Sequence, residues 1–198
     1  CPLSLYGHVA RAPAGESDLL LRWSFDEGSG AVAKDASGNG LDGASGASWV
    51  KAGDGSAALL SGEPSSIVKT VLPPARMLGR SSWTFMAWVN PVQLAIESRQ
   101  NQRRLFSCGP YPDASLVIDL SGAGAVMWYF CHKDAGGKVV AAGGATAPRL
   151  RVGEWSHVAV VVDREKRTAT GYVNGRAEGR APFPAGFDGD FSLSGELT

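Results

Sequence analysis

Two stretches hold most of the residues that could do chemistry. Asp26, Glu27, Asp35, Asn39 and Asp42 set hard oxygen donors among the glycines of a long polar segment, 26–46. Such donors suit a cation, and the same residue types also fill ordinary turns. The second stretch, 125–132, carries Trp128, Tyr129 and His132, and Tyr111 stands apart between Pro110 and Pro112 in a stiff loop. Aromatic faces of this kind stack on sugar rings when exposed and pack in a core when not. Strand alternation places Trp128, Phe130 and His132 on one side and Met127, Tyr129 and Cys131 on the other, leaving open which side faces outward.

Catalytic patterns are missing. Glycoside hydrolysis needs a pair of carboxylates, and no strand offers them at alternate positions. Asp188 and Asp190 have the spacing, but Gly189 between them and Pro182 and Pro184 just upstream mark a loop. The three histidines, His8, His132 and His157, are scattered and assemble no triad. Neither a zinc-type Cys and His cluster nor a phosphate-binding glycine loop occurs. The expectation is a protein that is not an enzyme.

The elements that must position these residues read as strands. Extended segments are expected at 19–25, 57–60, 66–72, 83–90, 104–108, 115–120, 125–132 and 138–141, nearly all bounded by Gly, Pro or Asp. The β-branched run 155–162, a polar turn at 163–166 and a second run at 167–173 form a hairpin. Asn174-Gly175 then favours a type I′ turn, with a third strand starting at Arg176. The polar stretch 94–104 is the one place for a short helix or loop. Residues 1–17 show no apolar period and read as a tail or linker, with one domain over 18–198.

Composition agrees. The 198 residues include 26 Gly and 11 Pro with 19% charged residues, a balance that suits many strands and tight turns. Lys plus Arg equals Asp plus Glu at 19 each, so no net field draws nucleic acid. No apolar run reaches the length of a membrane-spanning helix. Cys1 opens the chain without an initiator Met, consistent with either a lipid-anchored cysteine or an internal boundary of a longer protein. Cys108 and Cys131 sit two strands apart in a simple meander, about twice the 4.8 Å strand spacing. A disulfide there requires the middle strand to leave the sheet; the alternative is two buried thiols.

Four segments in order resemble a known family. Leu21-Arg22-Trp23-Ser24-Phe25-Asp26-Glu27-Gly28-Ser29-Gly30 with Asp35-Ala36-Ser37-Gly38-Asn39-Gly40, the short strand ending at Gly62, Ser82-Trp83-Thr84-Phe85-Met86-Ala87-Trp88-Val89-Asn90-Pro91, and Trp155-Ser156-His157-Val158-Ala159 with Tyr172-Val173-Asn174-Gly175 are similar to bacterial laminin-G-like, pentraxin-type jelly-roll domains. The resemblance implies an all-β, two-sheet antiparallel sandwich of the concanavalin-A-like kind. It implies a structural Ca2+ near the first long loop, for which Asp35, Asn39 and Asp42 are the chosen ligands. The family's closing Ile-Asp-Glu-Val-like strand is not found before Thr198, so the expectation is a domain lacking its final strand, with its edge continued or covered.

The function expected is a non-catalytic, lectin-like recognition module of a secreted or envelope protein. Its partner is carbohydrate, bound through Tyr111, Trp128, Tyr129 and His132, or a protein surface in a structural assembly role. It is expected outside the cytoplasm.

Overall fold

In a computed structural model of the chain, the described residues are 3–6, 18–73, 80–94, 103–109, 114–189 and 196–198. Cys1, Tyr111, Asp190 and most of the 94–104 stretch lie outside them. No helix among the described residues is long and apolar enough to cross a membrane.

The strands in chain order are β1 (Leu3–Tyr6), β2 (Val32–Ala33), β3 (Gly43–Ser45), β4 (Ser48–Ala52), β5 (Gly55–Leu60), β6 (Val68–Val71), β7 (Trp83–Pro91) and β8 (Arg103–Cys108). They continue with β9 (Ala114–Leu120), β10 (Val126–Lys133), β11 (Val139–Ala145), β12 (Ser156–Asp163), β13 (Thr168–Val173), β14 (Arg176–Pro182) and β15 (Glu196–Leu197). One sheet has seven strands in the order β14-β13-β12-β7-β1-β5-β4, and the other eight in the order β11-β10-β9-β8-β15-β6-β3-β2. Every pairing is antiparallel. This is the two-sheet all-β sandwich that the strand pattern and the resemblance imply.

Period-2 burial builds the core between the sheets. Val158, Val160 and Val162 of β12 and Leu116, Ile118 and Leu120 of β9 are buried. Aromatic rings bridge the layers, Trp83 to Phe130 at 5.4 Å and Phe85 to Phe106 at 5.2 Å between centroids. The late hairpin forms as read: β12 pairs with β13, and Asn174 and Gly175 both take positive φ, 50° and 77°, in the turn to β14.

Three expectations change. Residues 19–25 form no regular strand; a single bridge joins Trp23 to Asp35. Phe25 turns the chain with φ 58°, and Arg22 donates its N–H to the Asp35 carboxylate instead of to a neighbouring strand. Within the supposed tail, Leu3–Tyr6 is inserted between β5 and β7. The 26–46 loop contains two short strands, β2 and β3, which end the larger sheet.

Cys108 and Cys131 form no disulfide, and both are buried. Cys108 pairs across to Leu116, which pairs to Phe130, so these three share the core face. Cys131 follows Phe130 in β10 and therefore points to the opposite face. A sheet lies between the two sulfurs, so no disulfide can join them without rebuilding it.

Candidate functional site

β10 decides which aromatics can meet a ligand. Val126, Trp128, Phe130 and His132 turn inward, and Trp128 is only 3% exposed. Its indole sits where a Cβ on Gly144 of β11 would lie 2.5 Å from it and one on Gly171 of β13 would lie 2.6 Å from it. Only glycine at both positions lets the two sheets close on this ring. His132 packs its ring 5.2 Å from that of Phe187, and its Nδ1 lies 3.1 Å from the Lys133 carbonyl. Its Nε2 lies 3.3 Å from Asp188 Oδ1 but without hydrogen-bond geometry. Trp128 and His132, expected as sugar contacts, thus belong to the core. Tyr129 takes the outward position and is 40% exposed.

Around Tyr129 the outer face of the larger sheet holds an open cavity of about 340 Å³, lined by Asp119, Met127, Trp128, Tyr129, Gly143 and Gly144. Register assembles it, since Asp119 is opposite Met127 and Tyr129 is opposite both Val117 and Gly143. A Cβ at Gly143 would stand 3.6 Å from Tyr129 Cδ2 and 3.0 Å from the Trp128 carbonyl oxygen. The bare glycine therefore leaves open the space beside the tyrosine ring.

Asp119 is the polar group of this cavity and is 4% exposed. Its Oδ1 accepts a hydrogen bond from Arg104 Nε at 3.1 Å, and no described residue donates to Oδ2. Burial pushes the Asp119 carboxyl above the usual range, with Arg104 pulling it back less strongly. A buried carboxylate with an uncommitted oxygen, beside an exposed ring, is a binding arrangement. It supplies one carboxylate where glycoside hydrolysis uses two.

In the first loop, Asp35, Asn39 and Asp42 do come together, but as braces. Asp35 Oδ1 accepts from the backbone N–H of Arg22 and Ser37, and Oδ2 from that of Leu41. Burial alone would raise the Asp35 carboxyl; these hydrogen bonds outweigh it and hold the carboxyl low. Asn39 Nδ2 donates to the carbonyls of Leu19 and Leu20, at 2.7 and 2.9 Å. Asp42 Oδ1 accepts from the Asp35 N–H, and Lys34 Nζ lies 2.6 Å from its Oδ2. The carboxylate oxygens thus face hydrogen-bond donors, and an ammonium occupies the cation position beside Asp42. This donor set does not fit calcium, and among the described residues no group of three or more acidic, His or Cys side chains could hold a metal.

Sequence reasoning did not single out an exposed patch on the other sheet. Met86 and Trp88 of β7 are 62% and 37% exposed, and His157 of β12 pairs with Trp88, the rings edge to face at 5.4 Å. Burial pushes His157 below its ordinary value. The available signal was the alternation of β7, whose Trp83, Phe85, Ala87 and Val89 pack on the core.

No curated protein matches the chain. Among solved structures, the native heptameric SAP-like pentraxin from Limulus polyphemus is similar at 17% identity with a TM-score of 0.30, over 61% of this chain and 62% of that one, less than two thirds of its length. The profile of Laminin_G_3, described as the Concanavalin A-like lectin/glucanases superfamily, matches residues 65–195. That match spans β6 to β14, including the strands that build the Tyr129 cavity, and with more than half of its length matched the chain belongs to this family.

Proposed function

We propose that the domain is a non-catalytic, lectin-like recognition module that binds carbohydrate on the outer face of the larger sheet, as part of a protein acting outside the cytoplasm. The observation that carries this reading is the exposed Tyr129 ring beside the buried Asp119 carboxylate in one open cavity. The ring offers an apolar face to a pyranose, and the carboxylate is a fixed acceptor for a hydroxyl. The reading does not route recognition through calcium, because the Asp35 and Asp42 carboxylates are already committed to backbone N–H groups and Lys34. Tyr111, outside the described residues, belongs to the proposal on its sequence alone.

The test is a glycan panel read by direct binding, wild type against Tyr129→Ala. Binding that the substitution abolishes supports the reading, and binding that survives it moves the site elsewhere. A second reading, docking of a protein surface, is favoured by Met86 and Trp88, whose exposed side chains form an apolar strip on the smaller sheet. Loss of a partner on Met86→Lys, with glycan binding intact, would support it.

A further inference from the structure

We propose that the cavity selects an uncharged pyranose through two adjacent hydroxyls, one donating to Asp119 Oδ2 and its neighbour accepting from the guanidinium of Arg104. The inference rests on the carbohydrate reading of the same cavity and names the ligand class it takes.

The Arg104–Asp119 pair is a donor and an acceptor held side by side. Nε of Arg104 is committed to Asp119 Oδ1 at 3.1 Å, and no described residue engages its two Nη groups. The Arg104 side chain is half exposed while that of Asp119 is almost wholly buried, so the guanidinium is open to solvent where it meets the carboxylate that lines the cavity. Arginine has five N–H donors in a planar fork and no acceptor, and an ionised carboxylate only accepts. A ligand that satisfies both must donate at one atom and accept at the next. Two neighbouring sugar hydroxyls do this, each being donor and acceptor together.

Charge favours a neutral sugar over an acidic one. The pair has no net charge, so a uronate or sulfate would gain against Arg104 and lose against Asp119 at similar range. Arg104 alone would suit an anion; its bond to Asp119 removes that preference.

The experiment is calorimetric titration of wild-type protein with methyl glycosides of neutral hexopyranoses, their monodeoxy analogues and the corresponding uronic acids, repeated with Asp119→Asn and Tyr129→Ala. The expected result is one neutral glycoside that binds, at least about tenfold weaker binding when either of two adjacent hydroxyls is removed, and a similar loss in Asp119→Asn. Uronates are expected to bind no better than the parent sugar. The deoxy series uses unaltered protein, so it decides the matter even where a variant folds poorly. Tighter binding of a uronate, or a neutral sugar that tolerates every deoxy change while depending on Tyr129, overturns this proposal and leaves the carbohydrate reading standing. Absence of binding by any glycoside overturns both.

Discussion

Arg104 Nε holds Asp119 Oδ1 at 3.1 Å from the neighbouring strand, β8 to β9, so that a nearly inaccessible carboxylate keeps one oxygen for the cavity beside Tyr129. Arg104 and Asp119 are direct cross-strand partners, and a β-bulge follows at once between Arg104 and Phe106. Bulges re-aim side chains next to functional sites. Here the strand returns Leu105, Phe106 and Cys108 to the core while Arg104 stays on the outer face.

Asp119→Asn should therefore weaken glycan binding without destabilising the fold. Burial raises the Asp119 carboxyl in the folded state, so its ionised form opposes folding. That penalty is absent below the unfolded value of about 3.9, grows as pH rises toward the raised folded value, and is constant above it. Thermal melts from pH 4 to 7 should show the variant at least as stable as wild type near pH 7, the difference shrinking toward pH 4.

Tyr129→Ala and Trp128→Ala should separate site from scaffold. Tyr129 is 40% exposed in a strand paired on both sides, and its loss should cost about 1 kcal/mol while removing sugar binding. Trp128 lies between the sheets, and its truncation should cost about 3–5 kcal/mol. Urea titrations check both.

Millimolar Ca2+ against chelator should leave the melting temperature unchanged, because a metal that bound only the folded state would raise it. Asp35→Ala should instead destabilise by about 1–3 kcal/mol, leaving three backbone N–H groups without their acceptor. The Asp35 carboxyl is held low, so the stability it contributes is present above about pH 3.9 and is lost as pH falls through the folded value. A calcium-dependent rise in melting temperature would contradict the bracing role.

Thiol labelling should find both cysteines unreactive in the native protein at pH 8. Burial pushes the Cys108 thiol up to about 11 and raises Cys131 as well. Two equivalents of reagent should be consumed by these residues on denaturation, and reducing agent should not alter the melt. Slow labelling of one site alone would mean that its face of the sheet opens.

Much of the scaffold was legible in the chain because its causes are local. The β-branched run ending at Val162, the polar turn after it and Asn174-Gly175 specify three antiparallel strands through side-chain branching and positive φ, which neighbouring residues determine. Alternation likewise divided β10 into its two sets before either could be assigned a direction. The 19–25 segment misled because its apolar spacing is that of a strand, whereas its backbone is held by the Asp35 carboxylate, thirteen residues beyond Arg22, and by a single bridge rather than a ladder. Leu3–Tyr6 carries too few residues to show a period, and only pairing with both β5 and β7 makes it a strand.

The sequence by itself determined the all-β class, the order of the late hairpins and the pairing of Tyr129 with Met127 and Cys131 on one face. Only the tertiary structure decided that this face looks outward, that Asp119 and Arg104 meet on it, and that Asp35, Asn39 and Asp42 brace a loop. The reason is physical: period 2 and turn chemistry act within a few residues, but burial and register depend on strands far apart in the chain. A side chain becomes a ligand contact or a core residue only when the opposing sheet is in place.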